Sequence, residues 1–317
     1  MSEINRMPVV GRFAPSPSGR MHLGNVFTAV LSWLSVKSRG GVWVLRIEDL
    51  DPMRSKRVFS EMIEEDLLWL GLEWDEGGLD DRGLHGPYSQ SGRGGLYEAA
   101  LHKLDSRGLT YPCYCTRGEL MATNAPHQSD GRRVYGGSCR PPYLGGTMTP
   151  TMDRAVRATR LFVPDETIFF EDGIFGATHV DLGSEVGDFV LRRGDGAWAY
   201  QLAVVVDDAE MGVTEVMRGF DLLQSSAQQI YLYRLLGYDV PEFVHLPLIC
   251  NRDGQRLSKR DGSLNMEALR RYYKAEDLLG RIGYMAGLLD KPERVSLNQL
   301  KEIYDVARLP RTERICV

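Results

Sequence analysis

Two short polar segments, far apart in the 317-residue chain, carry side chains suited to binding a nucleotide. The first, RFAPSPSGRMHLGN at residues 12–25, connects an apolar strand to a helix whose apolar residues recur at helical spacing. His22 and Gly24 are therefore expected at the helix N-terminus, where backbone N–H groups and the helix dipole favour a phosphate. The second, RLSKR at residues 256–260, is a cationic loop that can close over the same phosphates. Together they predict one ATP site, formed by His22, Gly24, Asn25, Ser258 and Lys259.

Three clustered cysteines predict a metal site. Cys113 and Cys115 are separated by one residue, and Cys139 follows after a turn-rich stretch. In a chain without a secretory signal such a cluster favours metal binding over a disulfide, and zinc with four ligands is expected. The chemistry alone leaves the fourth ligand open between His127, an ordinary zinc ligand, and Tyr135, whose phenol normally has a pKa near ~10. The alternative is that the cysteines only fill space in the interior.

The two nucleotide-binding segments resemble the HIGH and KMSKS signatures of class I aminoacyl-tRNA synthetases, and the RFAPSPSG wording resembles their glutamyl branch. Further stretches match that branch in order and spacing: LRIEDLD at 45–51, YSQSGR at 88–93, YQLAVVVDD at 200–208 and MRGFD at 217–221. The resemblance implies that L-glutamate attacks the α-phosphorus of ATP, accompanied by Mg²⁺, to give glutamyl-adenylate. Because the attacking carboxylate is already ionised, the protein needs only to position it and to neutralise phosphate charge. His22 and Lys259 are the catalytic residues implied.

The resemblance also implies a glutamate pocket. Arg12 and Arg218 can each offer a planar guanidinium to a carboxylate, and Glu48 can receive the ammonium. Tyr200 can hydrogen-bond the substrate, and Ser16 lies in the loop above it. The alternatives are ordinary ones: a surface salt bridge for Arg218 and a solvated carboxylate for Glu48. For His22, in the ATP site, the alternative is a helix N-cap.

The metal-site pattern Cys-x-Cys-x19-Tyr-x3-Cys resembles that of one subfamily, the glutamyl-queuosine tRNA(Asp) synthetases. It implies zinc ligands Cys113, Cys115, Tyr135 and Cys139, in preference to His127. It also implies transfer of glutamate to the cyclopentene diol of queuosine, at the wobble position in the anticodon stem-loop of tRNA(Asp). We expect the stem phosphates to contact cationic side chains such as Arg132, Arg133, Arg270, Arg271 and Lys274.

The length of the chain favours the same subfamily. Only 57 residues follow Arg260, and we expect no large anticodon-binding domain among them. Two other functions compete with this interpretation. One is a minimal glutamyl-tRNA synthetase that charges the 3′ end of tRNA(Glu). The other is an inactive, RNA-binding relative, which eroded active-site residues would indicate.

The elements that must position these residues predict an α/β fold. Strands and helices alternate over residues 8–108, which indicates a doubly wound parallel sheet of Rossmann type with ligands at the strand carboxyl ends. We expect the catalytic domain at 1–110 and 187–250, split by a zinc-containing insertion at 111–186 whose strands are antiparallel. Residues 203–206 are a buried strand or the start of a helix. Residues 251–317 hold the KMSKS-like loop and a helical stem-contact segment, with one or two more helices in the tail.

Composition agrees with a cytoplasmic enzyme. The hydrophobic fraction is 43%, no apolar run is long enough for a membrane span, and the N-terminus lacks the layout of a secretory signal. The net charge of −5 argues against indiscriminate nucleic-acid binding but allows a local basic groove. We expect a monomer with no membrane partner.

Overall fold

The structure is a computed structural model that describes residues 8–122, 134–148, 154–251, 254, 257 and 264–317. Within these residues the strands are β1 (Val10–Phe13), β2 (Val42–Leu45), β3 (Glu76–Gly77), β4 (Thr110–Cys113), β5 (Ala158–Leu161), β6 (Thr167–Asp172), β7 (Gly176–Asp181), β8 (Phe189–Arg193), β9 (Glu215–Gly219), β10 (Glu242–Leu246), β11 (Leu248–Cys250) and β12 (Arg314–Cys316). The helices are α1 (Leu23–Lys37), α2 (Arg57–Trp69), α3 (Gly94–Asp105), α4 (Arg117–Ala122), α5 (Tyr200–Glu210), α6 (Leu223–Leu236), α7 (Met266–Tyr272), α8 (Ala275–Met285) and α9 (Leu297–Ile303).

A seven-stranded sheet in the order β3-β2-β1-β9-β10-β6-β7 forms the centre of the molecule. Neighbouring strands pair in parallel, except that β6 and β7 form an antiparallel hairpin at one edge. The predicted doubly wound, mostly parallel sheet is confirmed. Strand order reverses at β1, with β2 on one side and β9 on the other, and in such sheets ligands bind outside the carboxyl ends at this switch point.

Apolar helices cover both faces of the sheet. On one face α1 packs with α8 and α9, and its residues Val26, Val30, Leu31 and Leu34 have no exposed area. On the other face α3, α5 and α6 enclose a second apolar cluster. Burial of these helix faces provides the main stabilisation of the fold and fixes the helix ends that border the switch point.

The segment predicted as an insertion divides between two sheets. Strands β4 and β5 form a separate antiparallel sheet together with β8, which lies just after residue 186. The hairpin of β6 and β7 also lies within residues 111–186, but it extends the main sheet, because β6 pairs with β10. The domain boundaries themselves stay predictions.

Two details differ from the sequence expectations. Residues 203–206 lie inside helix α5, which resolves the choice between strand and helix. In the tail, α9 is one of the expected helices, but β12 was not predicted. It has only three residues and pairs in parallel with β11, a partner more than sixty residues earlier that no local pattern reveals.

Among the described residues, no helix combines the length and the apolar character that crossing a bilayer would require. The expectations of a cytoplasmic location and a monomer stay predictions.

Candidate active site

A cavity of about 510 Å³ opens at the switch point, beside the N-terminus of α1 and the carboxyl ends of β1 and β9. The predicted glutamate and ATP residues that fall within the described part of the chain all line it: Arg12, Ser16, His22, Gly24, Asn25, Glu48, Tyr200 and Arg218. Ser258 and Lys259, like the rest of the predicted cationic loop apart from Leu257, lie outside the described residues. The structure therefore brings the two predicted pockets together, and the individual roles stay predictions.

The loop between β1 and α1 ends in a histidine that caps the helix. The His22 ring Nδ1 accepts a hydrogen bond from the Gly24 N–H at 3.1 Å, and Asn25 Oδ1 accepts from the His22 N–H at 3.1 Å. A Cβ on Gly24 would lie 3.0 Å from the His22 ring, so any larger residue there would press on the capping imidazole. His22 is therefore the N-cap residue of α1, as the alternative interpretation of this residue expected. A phosphate at this helix end must bind beside the imidazole or replace it as acceptor.

Arg12 is held from one side by an aspartate. Its Nε lies 3.1 Å and 3.3 Å from the two carboxylate oxygens of Asp208, and only 4% of Arg12 is exposed. Within the described residues, its Nη1 and Nη2 groups make no hydrogen bond. Although burial alone would raise the pKa of Asp208, the Arg12 and Arg46 guanidiniums outweigh it and lower that pKa. Asp208 thus stays ionised and fixes Arg12 with its two-pronged end available to a carboxylate.

Arg218 is buried among neutral partners. Its Nε donates to His245 Nε2 at 3.1 Å, its Nη1 to Gln229 Oε1 at 2.7 Å and its Nη2 to Ser226 Oγ at 2.8 Å. No carboxylate of the described residues lies within ion-pair distance of it, so it is not the surface salt bridge considered above. Burial lowers the pKa of Arg218. A buried guanidinium facing a cavity without a counter-charge is a strong site for an anion.

Glu48 lines the same cavity as Arg12 and Arg218. It is 9% exposed, and its Oε1 lies 3.5 Å from Nη2 of Arg46. Burial raises the pKa of Glu48 to about 7, against the opposing effect of Arg46 and Arg12. Burial and the nearby Glu48 also raise the pKa of Tyr200, whose hydroxyl makes no hydrogen bond to the described residues. Glu48 and Tyr200 therefore offer a carboxyl group and a neutral hydroxyl donor to the cavity.

A buried charge network beneath the cavity was not predicted as part of the site. Asp207 accepts hydrogen bonds from Arg93 Nε at 2.5 Å, Gln90 Nε2 at 2.8 Å and the Tyr97 hydroxyl at 2.9 Å. Arg46, which is fully buried, donates from Nη1 to the neighbouring carboxylate of Asp208 at 2.6 Å. The sequence does contain an indication of this network. Arg46 in LRI and Asp207 and Asp208 in VVVDD are charged residues inside or next to apolar runs, where a charge without a partner would be destabilising.

The three predicted cysteine ligands come together. The Sγ atoms of Cys113, Cys115 and Cys139 lie within 4.8 Å of one another, and those of Cys115 and Cys139 are 3.4 Å apart. Tetrahedral zinc with bonds of about 2.3 Å to sulfur places ligand sulfurs about 3.8 Å apart. The three thiols therefore fit a zinc ion.

Tyr135 is well placed to complete the set. Its hydroxyl oxygen lies 3.8 Å from both Cys113 Sγ and Cys115 Sγ, and it accepts the Cys139 N–H at 2.7 Å. The Arg160 guanidinium stacks on the ring, 3.7 Å from its centre, and favours negative charge on the phenol oxygen. Burial raises the pKa of the Tyr135 phenol above its usual value, so a metal would have to displace its proton. His127 lies outside the described residues.

Known proteins similar to this chain share both its sequence and its fold. A family described as tRNA synthetases class I (E and Q), catalytic domain, matches residues 8–286. A protein from Symbiobacterium thermophilum named Glutamyl-Q tRNA(Asp) synthetase is 49% identical, over 95% of this chain and 94% of its own length. A glutamate–tRNA ligase from a Sulfurihydrogenibium species is 44% identical, over 82% of this chain and 54% of its own length.

The fold is similarly matched by a crystal structure of a glutamate tRNA ligase from Elizabethkingia meningosepticum in complex with its amino acid. That structure has a TM-score of 0.82 and 30% sequence identity, and the match covers 96% of this chain and 66% of the solved one. The matched residues include the whole cavity at the switch point. The chain belongs to the class I tRNA synthetases for glutamate and glutamine, and within them to the glutamyl-Q tRNA(Asp) synthetases.

Proposed function

We propose that the chain activates L-glutamate with ATP and transfers it to the cyclopentene diol of queuosine in tRNA(Asp). The observation that carries the first half is Arg218, a buried cation that borders the cavity and has no carboxylate partner in the described part of the chain. The likeness to relatives named glutamyl-Q tRNA(Asp) synthetase supports the second half.

The charges of the cavity complement glutamate. The substrate carries two carboxylates and one ammonium, and the cavity offers the guanidiniums of Arg12 and Arg218 together with the carboxyl group of Glu48. Desolvated, charge-assisted hydrogen bonds of this kind are strong and orient the substrate. Glutamine would leave one guanidinium without a counter-charge, which favours glutamate over its amide.

Activation needs charge neutralisation at the phosphates. The helix end at His22 and Gly24 borders the same cavity, so ATP bound there brings its α-phosphorus to the glutamate carboxylate. Lys259 and Ser258 are proposed to close over the phosphates, with Mg²⁺ as the accompanying ion, and Lys259 to neutralise the departing pyrophosphate.

The acceptor can approach through a second cavity of about 480 Å³. It shares Ser16, Ser18, Glu48 and Tyr200 with the first cavity and is also lined by Trp198. A hydroxyl of the diol entering there reaches the carbonyl carbon of the adenylate. Its oxygen forms the ester bond to that carbon, the bond from the carbon to the phosphate oxygen breaks, and AMP leaves together with the hydroxyl proton. A base splayed out of a single-stranded loop can enter such a pocket at modest cost.

We also propose that Cys113, Cys115, Cys139 and Tyr135 hold one Zn²⁺. The ion would cross-link a segment that has only a small apolar core of its own.

Of the cationic residues expected to contact the RNA stem, Arg132 and Arg133 lie outside the described residues. Arg270 is paired with Glu65 at 2.7 Å and Asp66 at 3.1 Å and lies over the Trp69 ring, so a phosphate would have to compete with these partners. Among the described residues, Arg271 pairs only with the exposed Glu267 on the same helix, and it can exchange that partner for a phosphate.

The first test is pyrophosphate exchange with ATP and glutamate in the absence of RNA. Exchange is expected for the proposed activity, because the complete glutamate pocket belongs to the protein. At a glutamate concentration that saturates the wild type, Arg218→Met should strongly reduce exchange, whereas Arg271→Met, a matched change at an exposed arginine, should not. Exchange that strictly depends on tRNA would favour an ordinary glutamyl-tRNA synthetase, and no exchange at all would favour an inactive relative.

The second test is glutamylation of tRNA(Asp) from cells with and without queuosine, using labelled glutamate. Label is expected only on queuosine-containing RNA, it should stay with the anticodon fragment after nuclease cleavage, and periodate oxidation of the diol should prevent it. Label on the 3′ terminal adenosine would overturn the proposed acceptor.

A further inference from the structure

We propose that Asp172 and His245 are positioning residues, which hold the Arg218 guanidinium in the orientation that receives a carboxylate of glutamate. The inference rests on the proposed glutamate site and adds two residues that do not line the cavity.

The three side chains form a continuous buried chain of hydrogen bonds. His245 Nδ1 lies 2.6 Å from Asp172 Oδ2, and His245 Nε2 lies 3.1 Å from Arg218 Nε. The side chains of Asp172 and His245 have no exposed area, and Arg218 is 4% exposed. Only Arg218 reaches the cavity.

The main sheet is what aligns them. The strands β9, β10 and β6 are neighbours in that order, and they carry Arg218, His245 and Asp172 respectively. Arg218 and His245 are register partners, and Asp172 pairs with Phe243, two residues before His245. The hairpin that extends the main sheet therefore contributes an anion to the glutamate pocket from two strands away.

Hydrogen-bond chemistry fixes the proton on the imidazole. Nε of arginine can only donate, so His245 Nε2 must accept and the ring proton must be on Nδ1, directed at Asp172. Asp172 is itself fixed, because its Oδ1 accepts the Ile174 and Phe175 N–H groups at 3.0 Å each, which leaves Oδ2 for the ring. Burial lowers the pKa of His245 to about 4, so the ring is neutral near pH 7.

A carboxylate at position 172 thus has a specific purpose. Changing Asp172 to Asn keeps an oxygen for the two backbone N–H groups and places an NH₂ group opposite His245 Nδ1. The ring must then carry its proton on Nε2, where it meets the N–H of Arg218 Nε, donor against donor. Arg218 then loses the hydrogen bond at Nε, one of the bonds that fix its orientation, without any change in the size of the buried side chains.

The experiment compares Asp172→Asn with Glu171→Gln, a charge-neutralising change at an exposed neighbour on β6. In pyrophosphate exchange, Asp172→Asn should raise the KM for glutamate about tenfold or more, with the KM for ATP nearly unchanged. Adding His245→Gln to Asp172→Asn should recover much of the loss, because a Gln carbonyl can accept from Arg218. Glu171→Gln should behave as the wild type. Nitrogen chemical shifts of His245 should show Nδ1 protonated in the wild type and Nε2 protonated in Asp172→Asn, and thermal unfolding checks that each variant is folded.

The outcomes separate the two levels of the inference. If the wild type exchanges pyrophosphate with glutamate but folded Asp172→Asn keeps its KM, the positioning role is wrong and the proposed function stands. If Asp172→Asn raised the KM for glutamate and the KM for ATP by the same factor, the role of Asp172 would be merely structural. If the wild type shows no exchange, the proposed function fails, and a positioning role toward glutamate fails with it. A wild-type His245 that is protonated on Nε2 overturns the inference independently of any activity.

Discussion

The carboxyl group of Glu48 should make glutamate binding depend on pH. Burial raises the pKa of Glu48 to about 7, and it lines the cavity that also holds Arg12 and Arg218. An ammonium group binds the ionised carboxylate and not the protonated acid. Because the raised pKa keeps Glu48 protonated in the empty enzyme at low pH, binding should strengthen as pH rises through 7.

The magnitude follows from the ionised fraction. With a pKa of about 7 that fraction is roughly 9% at pH 6, 50% at pH 7 and 91% at pH 8. Since apparent affinity scales with the binding-competent fraction, the KM for glutamate should fall about tenfold between pH 6 and pH 8, or about 1.4 kcal/mol.

The assay is the KM for glutamate in pyrophosphate exchange, measured at half-unit steps of pH. Glu48→Gln is the control, because it keeps the side-chain shape and every other titrating group of the cavity. Glu48→Gln should raise the KM for glutamate at pH 8 and should abolish the tenfold fall in this KM that the ionisation of Glu48 causes between pH 6 and pH 8. A wild-type profile with the same slope as Glu48→Gln would refute the assignment of Glu48 as the ammonium partner.

Three further outcomes are expected. Arg218→Met should raise the KM for glutamate, measured by exchange kinetics, by a factor that corresponds to about 2–5 kcal/mol of binding free energy, because a desolvated carboxylate loses its partner. Elemental analysis should find close to one zinc per chain. Cys139→Ser should lower this zinc content, and His127→Ala should not. Loss of zinc from His127→Ala would exclude Tyr135 as the fourth ligand. Asp208→Asn should cost about 3–5 kcal/mol in denaturant unfolding, because it leaves the buried Arg12 guanidinium uncompensated; a loss under 1 kcal/mol would contradict this.

The residues of the cavity could be predicted from sequence because each stands in a short motif at the end of an element. The strand before Ala14 and the helical spacing after His22 place the loop between them at the sheet switch point, and the fold class follows from the alternation of strands and helices. The cysteine cluster was predictable for a similar reason, since the spacing from Cys113 to Cys139 is local enough to close one site.

The partners of those residues could not be predicted, because long-range pairing creates them. Asp208 lies 196 positions after Arg12, and nothing in either segment indicates the contact. The alternation in β6 correctly indicates an antiparallel strand, but its place in the main sheet depends on pairing with β10. For the same reason, Asp172 and His245 carry no recognisable motif, although they end up beside Arg218.

These long-range partners explain how the buried charges of the cavity are held in the orientation that binds the substrate. In the part of the chain that the structure describes, Asp208 holds Arg12 at Nε and leaves its two terminal nitrogens without a partner. Arg218 is anchored there only by neutral groups and keeps its whole charge for a ligand. Each buried charge that is left unmatched lowers the stability of the empty protein. An incoming dicarboxylate supplies the missing negative charge. Because the guanidiniums already lost their hydration when the protein folded, substrate binding does not have to remove it. The protein gives up stability around Arg218, and we infer that this is what makes the cavity select an anionic side chain.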